Sequence, residues 1–556
     1  MNKNLQITIF VCVLGNLTLA QPKDTLKLKQ TIGKNYIPSI ANSDKISEQP
    51  STISIKVEKK EIPASTLNKH MIFGIETKPI IPARMKGEPL TKLYRSCLKL
   101  GAGNYSTTYG ELFINNNRSR KQSIGLHMKH LSSQGQLKDV GYSGFSENNI
   151  DLYGKKFLRK YLLSAKLDAD RNVIHYYGYN PEQYEFLNKN NIRQRFIGYG
   201  AEAGWQSFYK DSTKLNHKAN VDFHHMNDLY SAIENNIVAK GDITRYISSE
   251  LFSLIGKIDF NHYKSEMGIT DNTLIKLNPQ IISKGERWQL KAGLGLYADA
   301  GNDITFHFYP DAIFKYNVVE NLIIPYLGIS GKTYRNNFSC LLTENPFINS
   351  EISLLNSNEK YNIHGGIRGE MGSDLSFHLF ASKKLINNMP LFEQDLSSIL
   401  KNKYRVIYDK VALLNVGVEF DYRKLEKLDI LLKGEYFSYN MTNELRPWYL
   451  PSYQATLIGS YNLRNKILIR AEVVGLSGRW ARVNSEEGDD LGYGVFAAKL
   501  KGIIDLNIET EYRYNKKLSA FIRLNNIANT RYYQWSNYPS QRFNMLGGIS
   551  YSFWAK

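Results

Sequence analysis

The chain has 556 residues and a formal net charge of +19, with 42% hydrophobic and 12% aromatic residues. Mean hydropathy is −0.39, and no run of about 20 apolar residues occurs beyond the extreme N-terminus, which excludes a membrane protein built of helices. Lys and Arg are spread along the whole chain rather than gathered in a stripe, which speaks against nucleic-acid binding and leaves lipid head groups or anionic solutes as partners.

Residues 1–20 have the pattern of a secretory signal. Lys3 supplies the positive end, Ile7 to Leu14 a short apolar stretch, and Leu19-Ala20-Gln21 a cleavage site after Ala20. Residues 21–92 carry Lys and Pro with little periodicity. Pro79, Pro82 and Pro89 forbid helix interiors and ladder hydrogen bonds, so an irregular periplasmic segment without a core of its own is expected. Beyond the signal only Cys97 and Cys340 remain, too few for a disulfide framework, and no bond between them is expected.

From Leu93 to the end the chain alternates apolar and polar residues in segments of roughly ten residues or more, parted by turn residues. Leu414, Val416, Val418, Phe420 and Tyr422 oppose Asn415, Glu419 and Asp421. Ile467, Ile469, Ala471 and Val473 oppose Arg470 and Glu472. Ile504, Leu506, Ile508, Tyr512 and Tyr514 oppose Asp505, Asn507, Glu509, Glu511 and Arg513. Leu518, Ala520, Ile522 and Leu524 oppose Ser519, Arg523 and Asn525. In the last segment Met545, Ile549, Tyr551 and Phe553 oppose Asn544, Ser550 and Ser552.

These segments are longer than the strands of soluble sheets and suit a tilted membrane strand. Connections alternate short and long. The short ones lie at 283–286, 318–321, 372–374, 424–426, 463–465 and 515–517. The long ones run over about 335–358, 386–409, 440–451, 476–499 and 528–541. That is the rule of tight periplasmic turns and larger external loops. The expected fold is therefore all-β: a transmembrane, antiparallel, up-and-down barrel of about 22 strands over residues 93–556, with both ends in the periplasm. Pro325 is expected at a bulge or a late strand start. The polar face supplies the candidate lumen-lining residues Glu419, Asp421, Arg470, Glu472, Asp505, Glu509, Arg513 and Arg523. Tyr512, Tyr514, Tyr551, Phe553 and Trp554 suit an interfacial girdle.

Leu524-Asn525-Asn526-Ile527-Ala528-Asn529, then Arg531-Tyr532-Tyr533-Gln534-Trp535, then Gly547-Gly548-Ile549-Ser550-Tyr551-Ser552-Phe553, resemble the last two strands of TonB-dependent receptors. Tyr36-Ile37-Pro38-Ser39-Ile40 and Lys86-Gly87-Glu88-Pro89-Leu90 resemble the N-terminal segment of a plug-less branch of such barrels from Gram-negative bacteria. The resemblance implies an outer-membrane location, transport or binding of a solute, and a closing strand read by the outer-membrane assembly machinery. Two departures stand out. Residues 21–92 are fewer than the family's plug domain needs and show no box for a TonB-type partner, and Trp554-Ala555-Lys556 extends past Phe553.

Catalytic patterns are missing: there is no H-E-x-x-H, no C-x-x-C pair and no phosphate loop. Gly141-Tyr142-Ser143-Gly144, Gly328-Ile329-Ser330-Gly331-Lys332 and Gly293-Leu294-Gly295 read as turn or strand glycines, and His224-His225 as polar-face histidines. Glu486, Glu487, Asp489 and Asp490 read as a solvated loop tip without calcium-loop spacing. No enzyme, cofactor or metal is expected. Trp448, Tyr449, Trp535 and Tyr538 lie in external loops, where such rings stack on flat ligands or pack on one another; they are the candidate ligand contacts. The leading expectation is a solute-transporting or solute-binding barrel. An anchoring barrel that partners another envelope protein is the alternative, and a barrel-borne hydrolase the third reading.

Overall fold

Period-two alternation sends successive side chains to opposite faces of a strand, so one face can be greasy and the other wet. A computed structural model describes residues 94–555 apart from 117, 118, 210, 212, 213, 302, 320, 321, 484–487 and 493. The expected signal, the segment 21–92, part of the 318–321 turn and Glu486 and Glu487 of the acidic cluster lie outside the described residues.

The described chain forms one antiparallel sheet of 22 strands, each paired to its neighbour in sequence order. The first strand, Tyr94–Gly103, pairs with the last, Asn544–Ala555, from Tyr94↔Ala555 to Gly103↔Leu546, and this seam closes the barrel. Closure removes both raw edges and satisfies every ladder within the wall, which a structure in hydrocarbon requires. The expected fold and strand number are the ones observed. Tyr94 and Ala555 meet at one end of the wall, here called the turn end; the opposite end is the loop end.

The alternation separates as the residues dictate. Leu414, Val416, Val418 and Phe420 are 40, 41, 38 and 37% exposed and form part of the outer wall, as do Ile504, Ile522 and Ile549. Asn415, Glu419 and Asp421 fall on the other side of the same strand, Tyr404–Lys424. The turn-end connections are tight. Gly372 opens the 372–374 turn at φ 70°, a conformation that favours glycine, and Arg464 and Asn465 adopt φ 52° and 56° in the next-but-one such hairpin. Pro325 is the second residue of the strand Ile324–Tyr334, so the late start is the observed alternative.

One expected loop is shorter than the sequence suggests. In place of a connection over 386–409, the strands Leu375–Gln394 and Tyr404–Lys424 run on and pair from Met389↔Asp409 to Gln394↔Tyr404, beyond a register shift at Ile386/Met389. Only 395–403 remains as loop. The extension persists because its apolar residues, Leu391, Phe392 and Tyr404, enter a core at the loop end.

That core is the largest among the described residues. Phe338, Leu341, Ile348, Trp448, Tyr449, Ala481, Val483, Ala497, Trp535 and Tyr538 come from four different loops and join Phe196, Met226 and Tyr263 from the wall. The loops carry small elements of their own: a helix Phe338–Glu344, a sheet of Arg479–Val483, Asp489–Asp490 and Phe496–Leu500, and a hairpin of Tyr533–Trp535 with Tyr538–Pro539. They interdigitate into a cap of soluble-protein character on a membrane wall.

Candidate functional site

The cap is held by buried carboxylates as much as by aromatic packing. Asp409 accepts the backbone N–H groups of Thr442 (3.2 Å), Asn443 (3.1 Å) and Glu444 (3.0 Å) and so pins the 442–452 loop to the wall. Glu444 in turn accepts the Trp448 indole N–H at 2.8 Å. Arg482 bridges Glu393 at 2.9 Å and Glu444 at 3.1 Å, joining the 477–502 loop to the extended hairpin. Arg479 donates to the carbonyls of Tyr533 (2.6 Å) and Gln534 (3.1 Å), tying in the last loop. Burial draws its guanidinium below the usual arginine range.

The helix Phe338–Glu344 is fixed the same way. Its first N–H groups have no partner inside the helix, and the fully buried Glu234 carboxylate accepts from Phe338 N at 2.6 Å, while Asn337 caps Cys340 N at 3.2 Å. Cys97 and Cys340 are both free thiols, one in the first wall strand and one in this helix.

The four candidate loop contacts are brought together, but turned inward. Trp448, Tyr449, Trp535 and Tyr538 are 1, 5, 6 and 3% exposed. Tyr449 lies 4.8 Å from Trp535, and Tyr538 stacks on Phe347 at 3.6 Å. Of the two readings the sequence left for these rings, stacking on a ligand or packing on one another, the described contacts are packing.

The eight candidate lumen residues all lie on the face opposite the apolar stripe, in two groups. Glu419 and Asp421 border a cavity of about 530 Å³ with Lys315, Arg368, Tyr326 and His378. There His378 is in register with Glu419, and the Tyr326 hydroxyl is 2.7 Å from His378 Nε2. Arg470 and Glu509 border a second cavity of about 460 Å³. Glu509 pairs with Arg523 at 3.2 Å, and Arg513 with Glu511 at 3.2 Å. Glu472 stands between Ile458 and Asn507 in register, and Asp505 accepts the Tyr532 hydroxyl at 3.3 Å. Glu509 and Arg523 thus neutralise one another between neighbouring strands, and Glu511 and Arg513 along one strand.

A third cavity, of about 680 Å³, was not foreseen from the sequence. It lies at the loop end, between the inner face of four consecutive strands, from Phe145–Phe157 to Asn216–Asn227, and the loop that carries the helix. Glu147, Asp170 and His224 face it from the wall, and Leu342, Pro346 and Phe347 cover it. The available signal was the inward spacing of Asp168 and Asp170 opposite Gly200 and Gly198, which leaves room for carboxylates. His224 and His225 are not a pair: His225 hydrogen-bonds Asn235 at 2.7 Å and stacks on the outward-facing Tyr199, on the other side of the strand.

The closed 22-stranded antiparallel wall is a fold shared with several solved outer-membrane receptors. The FrpB iron transporter from Neisseria meningitidis superposes with a TM-score of 0.64 at 10% identity, covering 84% of this chain and 81% of that one. The siderophore receptor PirA from Acinetobacter baumannii gives 0.63 at 8% identity, covering 84% and 81%. The pyoverdine outer-membrane receptor FpvA from Pseudomonas aeruginosa gives 0.61 at 12% identity, covering 84% and 79%. At such identity the likeness carries the fold alone. No protein-family model and no curated protein sequence matches this chain.

Proposed function

We propose that this chain is an outer-membrane receptor barrel that binds a solute at the cell surface and admits it through the lumen, with the turn end in the periplasm and the loop cap outside as the gate. The observation that carries the reading is the pairing of an apolar outward wall with interior cavities of about 680, 530 and 460 Å³, each lined by ionisable side chains, beneath a packed cap of loops. The shared fold with receptors described as iron and siderophore transporters supports it. Outer-membrane lipid and the assembly machinery that reads the closing strand are the partners of this reading. A TonB-type partner belongs to it as well; the fold supports one, and the missing box in residues 21–92 counts against it.

Reconstitution into planar bilayers tests the reading. Gated opening should give discrete current steps whose ion selectivity shifts in Arg470→Gln and Glu472→Gln. A barrel that stays silent under all conditions, with the cap loosened as well as intact, overturns it. The packed cap itself favours one second reading, a non-conducting barrel that anchors an envelope complex; that protein would be silent in bilayers and co-purify with one fixed partner. For a hydrolase no observation speaks, since His224 and His225 point to opposite faces.

A further inference from the structure

We propose that the cavity under the helix Phe338–Glu344 is a binding site for an organic cation with an apolar body, such as an aryl or alkyl amine or amidine; this rests on the receptor reading and gives it a ligand class. The chain carries a net charge of +19, yet among the described residues no lysine or arginine lines this cavity. Its ionisable side chains are Glu147, Asp170, His175, Tyr177 and His224, of which Tyr177 donates its hydroxyl to the Pro539 carbonyl at 3.2 Å. His175 is committed elsewhere, with Nδ1 2.5 Å from the Gly144 carbonyl.

The two carboxylates differ from their neighbours. One register step towards the turn end, Lys166 holds Asp151 at 3.0 Å and Asp168 at 3.3 Å. Among the described residues neither Glu147 nor Asp170 has such a cation, and Asp170 takes only the side-chain amide of Asn172, at 3.2 Å. Gly198 keeps the space clear, because a Cβ there would run into the Asp170 carboxylate. Phe196, Val173, Leu342 and Phe347 supply apolar walls. Asp170 is half-buried, shares the cavity with His224 and has no lysine or arginine paired with it among the described residues, so an incoming positive group restores the hydration it has lost; Glu147, exposed at the cavity edge, adds negative charge, and the apolar lining rewards a body behind that group. The other two interior cavities hold their own arginines, Arg368 in one and Arg423 and Arg470 in the other, so this selectivity belongs to the loop-end site.

Three probes of one shape test it: benzamidinium, benzamide and benzoate, titrated calorimetrically into the full chain in detergent micelles at neutral pH. The expected order is benzamidinium tightest and benzoate weakest. Asp170→Asn and Glu147→Gln should each weaken benzamidinium about tenfold and leave benzamide unchanged, while Asp170→Glu keeps the preference and Glu419→Gln, in another cavity, has no effect. Retained heat-modifiable migration on gels shows that each variant still closes its barrel. Equal binding of the three probes, tighter benzoate, no binding of any, or unchanged affinity in both neutralised variants overturns the site. A protein that binds the cation but never conducts removes the transport reading and keeps the site; one that conducts without preferring the cation does the reverse.

Discussion

Val418 in the wall is 38% exposed, and Trp448 in the cap is 1% exposed, although both are apolar and both belong to a hairpin of the same sheet region. In the wall the neighbouring medium is lipid, so burial against protein gains nothing and side chains stand outward in a period of two. Above the wall the medium is water, and apolar residues from loops far apart in sequence collapse on one another as in a soluble domain. One chain thus obeys two solvents, with the change lying near Ile386/Met389, where the ladder shifts register before the hairpin climbs into the cap.

The sharpest way to separate the regions is to cut the cap alone. Trp448→Ala should cost about 3–5 kcal/mol of cap stability, as loss of a buried indole does, and leave Arg482 as the remaining side-chain partner described for the Glu444 carboxylate. Near-ultraviolet circular dichroism should lose its cap signal at lower denaturant, while heat-modifiable migration of the barrel stays as in the parent chain. Simultaneous loss of both would mean that wall and cap are one cooperative unit.

Next comes the wall. Val418→Arg should cost about 2–4 kcal/mol in lipid, since a guanidinium near mid-membrane has no partner there. The adjacent Glu419→Gln faces the interior and should cost under about 1 kcal/mol. Urea unfolding in vesicles reads both, and equal costs would deny the division of the two faces.

A smaller effect is expected at the joint between the regions. Asp409→Ala strips the acceptor from three backbone N–H groups, at about 1–3 kcal/mol for a buried donor left unsatisfied. The 442–452 loop should then be nicked faster by added protease, and bilayer openings should lengthen. Unchanged cleavage would show that aromatic packing alone holds the loop.

The smallest concerns pH. Burial holds the Lys403 ammonium below the usual lysine range, against the pull of Asp395, Glu351 and Asp228, while it sits 4.3 Å from the Tyr230 ring centre. The folded state therefore releases this proton more readily than the unfolded chain. Cap stability should rise with pH from the lowered folded value up to the ordinary lysine value of about 10.4, and fall as pH drops through the folded one. Lys403→Met should flatten that slope in pH-dependent cap melting; an unaltered slope places the titration elsewhere.

Much of the wall was legible because its rule is local. The stripe Leu414, Val416, Val418, Phe420 and the turns at 372–374 and 424–426 can be read from a dozen residues at a time, and each alternation repeats the same answer. The cap was not, because its contacts join residues such as Phe347 and Tyr538 that only the finished barrel brings together. Trp448 and Trp535 were placed in the right loops but not given the right neighbours, and aromatic residues alone do not say whether a ring faces a ligand or another ring. The grouping of Glu419 and Asp421 around one cavity and of Arg470 and Glu509 around another depends on which strands adjoin, a property of register. The unpaired state of Glu147 and Asp170 is equally invisible before Lys166 is seen to reach their neighbours instead.

The seam between Tyr94–Gly103 and Asn544–Ala555 has a consequence for biogenesis. It weds the first wall strand in the sequence to the last one to be synthesised. No partial length of polypeptide can complete the ring, so every nascent molecule must be escorted with two sticky margins until its last dozen residues arrive. A premature stop near the end of the message would leave the ring as open as one near the start.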